Sequence, residues 1–311
     1  MSCSNLSLRF THYSFVNDGK IKNSVTISPA SLPIPVRIAS RSLTILVLLS
    51  AGWAQGPDPR QSHLPRFAEP ANPKLPTMFI VGDSTVRNGR GDGANGQWGW
   101  GDMVGKYFDS AKINVVNWAL GGRSSRTYIT EGHWGRVVAA LKPGDFVMIQ
   151  FGHNDGGALN DNSRARGTIK GIGDESEEID NLLTKQHEIV HTYGWYMRRY
   201  VEDTKAKGAT PIICTMIPRK IWKDGKIQRN KADYAGWAAD VARSENAPLI
   251  DLNEIIATRY DEMGPEKVNP LFADEHTHTT RPGAELNAEC VIAGLKALPS
   301  NPLVSYFAAH S

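Results

Sequence analysis

A hydroxyl nucleophile, a histidine base and an acid that orients it make up a set able to attack an ester, and this 311-residue chain carries all three types at suggestive places. Gly82-Asp83-Ser84-Thr85 follows an apolar run and puts a serine at a bend, with its hydroxyl and backbone N–H pointing the same way. Asp274-Glu275-His276-Thr277-His278-Thr279 supplies a histidine and, three residues before it, an acid that can orient the imidazole. Two further turns offer donors for a developing oxyanion. Asn117-Trp118-Ala119-Leu120-Gly121-Gly122-Arg123-Ser124 has two glycines that let backbone approach a ligand, and Gly152-His153-Asn154-Asp155 has an amide side chain. Taken singly, each has a plain alternative: a capped bend, a tight turn, an asparagine closing its own loop, a solvated acidic loop.

These turns can meet only if something brings them together. Apolar runs ending in polar or glycine-rich turns recur at 77–81, 113–118, 146–151, 211–217 and 248–252. Stretches of helical periodicity separate them, at 100–108, 132–141, 193–207, 231–245, 254–263 and 282–298. That alternation predicts a single three-layer α/β/α domain around a parallel five-stranded sheet. In such sheets ligands bind beyond the carboxyl ends of the strands, where three of the four turns follow strands and the fourth precedes the last helix. The segment from His153 to about Ile189 is the longest excursion, of the kind that shapes a ligand site.

In this order the four turns resemble the blocks of the GDSL or SGNH hydrolase superfamily. FIVGDSTVRNG, GGRSSRTYITEGHW, IQFGHNDGG and EHTHTTRPGAE look like those of its rhamnogalacturonan acetylesterase family, over residues 77–298. The resemblance implies a flavodoxin-like fold, Ser84 as nucleophile and His278 as base, with the Ser84 N–H, Gly122 and Asn154 forming the oxyanion hole. It also implies an aspartate three places before the histidine. That place holds Glu275 here, so Glu275 is the expected acid, with Asp274 as the alternative. His276 is expected to pack or to line the cleft.

A rival motif stands at His187-Glu188-Ile189-Val190-His191, the spacing of a helical zinc site with Glu188 as base. Gly194 follows in step, but Met197 occupies the place of the third histidine, so no metal is expected. His187 and His191 are expected instead where the long loop joins a helix, capping it or edging the cleft. Trp98, Trp100, Tyr128, Trp134, Trp195, Tyr196 and Trp222 fall near turns or helix starts, and some could stack on sugar rings, with Trp195 and Tyr196 expected in the core. Arg87, Arg123 and Arg126 lie close enough to the motifs to meet sugar carboxylates, with solvated surface as the default.

The ends read differently from the middle. Arg37 and Arg41 precede an apolar run from Leu43 to Ala51, with small residues Gly52 and Ala54 before Gln55. This is the pattern of a signal peptide over about 36–54, too short to remain as a membrane span. Residues 1–54 are therefore expected to be removed, 55–75 to be a linker or wrapped arm, and 76–311 to be the hydrolase domain. Upstream of Val36 lie 35 polar, Ser- and Asn-rich residues, and translation is expected to start near Val36. Without residues 1–54 the chain has 30 Lys/Arg against 31 Asp/Glu, which gives no footprint for nucleic acid or an anionic membrane. Cys214 and Cys290 both read as buried core thiols.

The expected protein is thus a secreted or periplasmic monomer without cofactor that removes acetyl groups from a plant cell-wall polysaccharide or oligosaccharide. Acetylxylan esterase, general carboxylesterase or lipase, and non-catalytic sugar binder are the alternatives.

Overall fold

The computed structural model describes residues 67–309, so the predicted signal peptide and residues 55–66 lie outside the described residues. Five strands form one parallel sheet in the order β2-β1-β3-β6-β9: β1 (Thr77–Gly82), β2 (Asn114–Asn117), β3 (Phe146–Gln150), β6 (Thr210–Cys214) and β9 (Leu249–Ile250). This is the flavodoxin-like order, with its switch point between β1 and β3. Central β1 and β3 are buried along their whole length, as their unbroken apolar sequences require, while edge strand β2 alternates.

The pleat sorts the core into two halves. Met78, Ile80, Met148 and Ile212 face α5 (Leu252–Met263) and α7 (Arg281–Lys296), in the layer that also holds the buried, unpaired Cys214 and Cys290. Phe79, Val81, Val147, Ile149 and Ile213 face α1 (Ser125–Thr130), α2 (His133–Ala140), α3 (Tyr193–Ala206) and α4 (Tyr234–Ser244). One further helical turn, α6 (Pro265–Val268), follows α5. Phe67 stacks on Trp118 with ring centroids 5.2 Å apart, and Trp118 Nε1 donates to the Ala68 carbonyl, so residues 67–68 lie against the helical face beside β2.

Two elements differ from the sequence expectation. The helix expected over 100–108 is a pair of 3-10 turns, Trp100–Asp102 and Gly105–Tyr107. Trp100 N and Gly101 N donate to the carbonyls of Thr85 and Val86, and a Cβ on Gly99 would lie 2.2 Å from Val86 backbone. That close approach to the bend after β1 replaces the helical hydrogen bonds. The expected long loop contains a hairpin, β4 (Ser176–Asp180) with β5 (His187–His191), whose inward residues are only Ile179 and Val190. A second small hairpin joins β7 (Trp222–Lys223) to β8 (Lys226–Ile227).

Candidate active site

Ser84 sits on the bend directly beyond β1, and a chain of hydrogen bonds fixes that bend from the sheet outward. Trp100 Nε1 donates to Gln150 Oε1 (2.8 Å), Gln150 Nε2 to Thr85 Oγ1 (2.8 Å), and Thr85 Oγ1 to Asp83 Oδ1 (2.7 Å). Asp83 also accepts the Thr85 N–H in an Asx turn. Trp100 is therefore a wholly buried buttress of the bend and not a sugar platform.

The loop before α7 carries the histidine back over the sheet. His278 Nε2 lies 2.9 Å from Ser84 Oγ, and His278 Nδ1 lies 2.5 Å from Asp274 Oδ2. Asp274 Oδ1 accepts three backbone N–H groups, from His276 (3.1 Å), Thr277 (2.7 Å) and His278 (2.9 Å). Burial alone would raise this carboxyl; the Thr277 and His278 N–H groups and the His278 ring outweigh it and bring it down to about 2. The expected acid, Glu275, is not the partner of His278. Its side chain is 92% exposed and lies 3.8 Å from His276. The reason is the tight turn: the residue that accepts the loop's own N–H groups faces inward, and its neighbour must then point outward. His276 is half-exposed, and its carbonyl accepts the Lys220 N–H.

The two donor turns converge on the same place. Gly122 has φ +80°, a conformation that disfavours any side chain, and a Cβ on Gly121 would lie 3.4 Å from Ser84 Cβ. Neither the Ser84 nor the Gly122 N–H has a partner among the described residues. Asn154 Nδ2 donates to the Arg123 carbonyl (2.8 Å), which leaves its second amide hydrogen available. Asp155 ties these turns together, accepting from Ser125 N (3.0 Å) and Ser125 Oγ (2.5 Å); its burial pushes the carboxyl up to about 7.

Ser84, Gly122, Asn154 and His278 all line one cleft of about 530 Å³. Arg123, Arg164, Arg166 and Arg219 line it too, and no Asp or Glu does so among the described residues. Arg123 is paired with Glu131 (2.8 Å), whereas Arg166 donates to the Gly122 carbonyl and Arg219 to Thr277 Oγ1 and, at 3.4 Å, to the His153 carbonyl. Of the arginines singled out in the sequence only Arg123 lines the cleft. Arg87 donates to the carbonyls of Asn117 and Arg90, and Arg126 is fully buried against Glu188. Arg164, Arg166 and Arg219 were missed because they stand outside the motifs, on the long excursion and after β6.

None of the seven aromatics lines this cleft. Tyr196 is in the core as expected, but Trp195 is only partly buried and stacks on His191 at 3.9 Å. His187 to His191 is strand β5, not a helix, so its two histidines stand about 13 Å apart along the strand and cannot share an ion. Neither histidine caps α3, where Thr192 accepts the Trp195 N–H, and neither edges the Ser84 cleft.

A fold of this order, with a serine and histidine in contact at its switch point, agrees with comparison to known proteins. The model of the GDSL-like Lipase/Acylhydrolase family matches residues 80–286. The chain belongs to that family. It is 31% identical to a rhamnogalacturonan acetylesterase of Emericella nidulans over 217 residues, covering 70% of this chain and 83% of that protein. It is 32% identical over 226 residues to a probable rhamnogalacturonan acetylesterase of Bacillus subtilis, covering 71% and 93%. The crystal structure of YxiM from Bacillus subtilis superposes with a TM-score of 0.58 at 26% identity, covering 72% of this chain and 56% of that one. The chain is an esterase, a carboxylic ester hydrolase of the GDSL family.

Proposed function

We propose that this esterase removes O-acetyl groups from rhamnogalacturonan, with Ser84 as nucleophile, His278 as base and Asp274 as the acid that orients it. The observation that carries the reading is the 2.9 Å contact of His278 Nε2 with Ser84 Oγ, opening on a cleft that, among the described residues, holds four arginines and no carboxylate. Asp274 accepts the Nδ1–H, which leaves Nε2 unprotonated and facing the serine. His278 then takes the Ser84 proton as Oγ attacks the acetyl carbonyl. The Ser84 N–H, the Gly122 N–H and Asn154 Nδ2 receive the oxyanion, and as the bond from the acyl carbon to the sugar oxygen breaks the imidazolium protonates that oxygen, leaving the acetyl group on Ser84. Water, activated by the same ring, releases acetate and restores the serine.

Arg164, Arg166 and Arg219 favour an acidic polymer, because guanidinium groups without a carboxylate partner among the described residues pair readily with sugar carboxylates. The names of the two relatives point the same way. Export by the predicted leader fits a cell-wall substrate, and sequencing the mature N-terminus tests it. An intact Met1 on the exported protein would contradict that part.

The substrate is tested by acetate release from acetylated rhamnogalacturonan, acetylated xylan and an aryl acetate in parallel. The reading predicts the highest kcat/KM on the acidic polymer, falling with added salt. Preference for xylan, or a rate on the acidic polymer indifferent to salt, would overturn it.

A further inference from the structure

The residue before Ser84 and the residue before Asn154 are bonded to each other. His153 Nδ1 lies 3.2 Å from Asp83 Oδ2, and His153 Nε2 lies 3.1 Å from the Ile217 carbonyl. The His153 side chain is 2% exposed and that of Asp83 is wholly buried. The ring therefore spans the carboxyl ends of β1, β3 and β6, three neighbouring strands.

Both ring nitrogens face acceptors. A neutral imidazole has one N–H and would leave one of these two buried oxygens without a donor. The other Asp83 oxygen accepts the N–H and hydroxyl of Thr85, as an ionised carboxylate does. Burial alone would raise Asp83; the charge and hydrogen bond of His153, with the two Thr85 donors, bring it below its usual range. The other ionisable groups around the pair are Asp155 beyond β3, Arg166 on the long excursion, Tyr193 on α3 and Arg219 after β6.

We propose that His153 is a positioning residue, held doubly protonated between Asp83 and Ile217, whose ion pair with Asp83 sets the separation of the Ser84 N–H from Asn154. The inference rests on the reading of Ser84 and Asn154 given above. The Ser84 N–H belongs to the peptide that leaves Asp83, and the Asn154 amide hangs one residue beyond His153. A ring that locks the two preceding residues thereby fixes both donors. His153 lines the cleft, but its ring is only 2% exposed and the Asp83 carboxylate is wholly buried, so loss of the pair should lower kcat and leave KM nearly alone.

The first measurement is on the wild-type protein: nitrogen NMR of the His153 ring at neutral pH. The inference expects protons on both nitrogens; an unprotonated Nδ1, with the proton on Asp83, would overturn it. The second compares kcat and KM on an aryl acetate for His153→Gln, Asp83→Asn and the double variant, each checked for folding by circular dichroism. Since displacing a catalytic group by about 1 Å can cost about a hundredfold, each single variant should lose about that in kcat with KM within about threefold. The double variant should lose little more than either, because both changes open the same clamp. Single variants within about threefold of wild type in kcat, or losses that multiply, would overturn the inference. His187→Ala, at an exposed site that does not line the cleft, serves as the unchanged control. Ser84→Ala separates the two layers of argument. If it is inactive while the His153 variant stays within about threefold of wild type, only the clamp fails; if it retains full turnover, the underlying reading fails.

Discussion

Replacing Asp274 by Asn, beside Glu275→Gln, isolates the one assignment that sequence spacing and geometry give differently. Asp274 Oδ1 accepts three N–H groups and Oδ2 faces His278 Nδ1 at 2.5 Å. An asparagine cannot serve both sides. Keeping its oxygen on the three N–H groups turns its amide NH2 toward Nδ1, which must then accept, and the ring proton moves to Nε2. That tautomer cannot take the Ser84 proton. Flipping the amide instead sets two donor hydrogens against three N–H groups, which is worse. The same tautomer inversion in a serine protease lowers kcat about 10⁴-fold, so Asp274→Asn should lose about 10³- to 10⁴-fold, roughly 4–5.5 kcal/mol of transition-state stabilisation. Glu275→Gln removes an exposed charge that touches only His276, and should change kcat less than about twofold. The assay is steady-state release of acetate or of an aryl leaving group. A large loss in Glu275→Gln with Asp274→Asn near wild type would refute the reasoning.

Asn154→Ala removes one oxyanion donor and should cost about a hundred- to a thousandfold in kcat, measured on the aryl acetate. Arg166→Gln and Arg219→Gln should raise KM for the acidic oligosaccharide several-fold while sparing kcat on the aryl acetate, which separates recognition from chemistry. Arg126→Met deletes a fully buried guanidinium that holds both oxygens of Glu188 and the carbonyls of Leu159 and Gly167. It should destabilise the fold by about 3 kcal/mol in denaturant titration. The pH dependence of that loss has a defined sign. Burial alone would raise Glu188; its hydrogen bonds from Arg126 and Asn181 bring it below its ordinary 4.5, so the stabilisation is full above that value and disappears as pH falls through the folded value. Melting temperatures of wild type and Arg126→Met should therefore converge in acid.

The strands and most helices were legible because buried parallel strands need unbroken apolar runs, and 146–151 or 77–81 read no other way. Ser84, His278, Gly122 and Asn154 were legible because each follows or precedes an element end, where spacing along the chain translates into position. Residues whose orientation is decided by hydrogen bonds inside a turn were not. Asp274 and Glu275 are adjacent and chemically alike, and only the three loop N–H groups settle which one faces the histidine. Nor does sequence tell a strand from a helix in His187 to His191, where burial of Val190 and pairing with β4 override the helical spacing of the two histidines. Arg166 and Arg219 reach the cleft from segments distant in sequence, which no local pattern marks. The role of Trp100 was hidden likewise, since its Gln150 partner is 50 residues away.

The central claim, that Ser84 performs the attack, is tested most directly by covalent trapping. A fluorophosphonate reacts with a serine only where a neighbouring base and oxyanion hole activate it. The account predicts one label per chain, on the peptide containing Ser84, with acetate release lost in proportion to labelling and no label on Ser84→Ala. Labelling at another residue, or full turnover by the labelled protein, would contradict it.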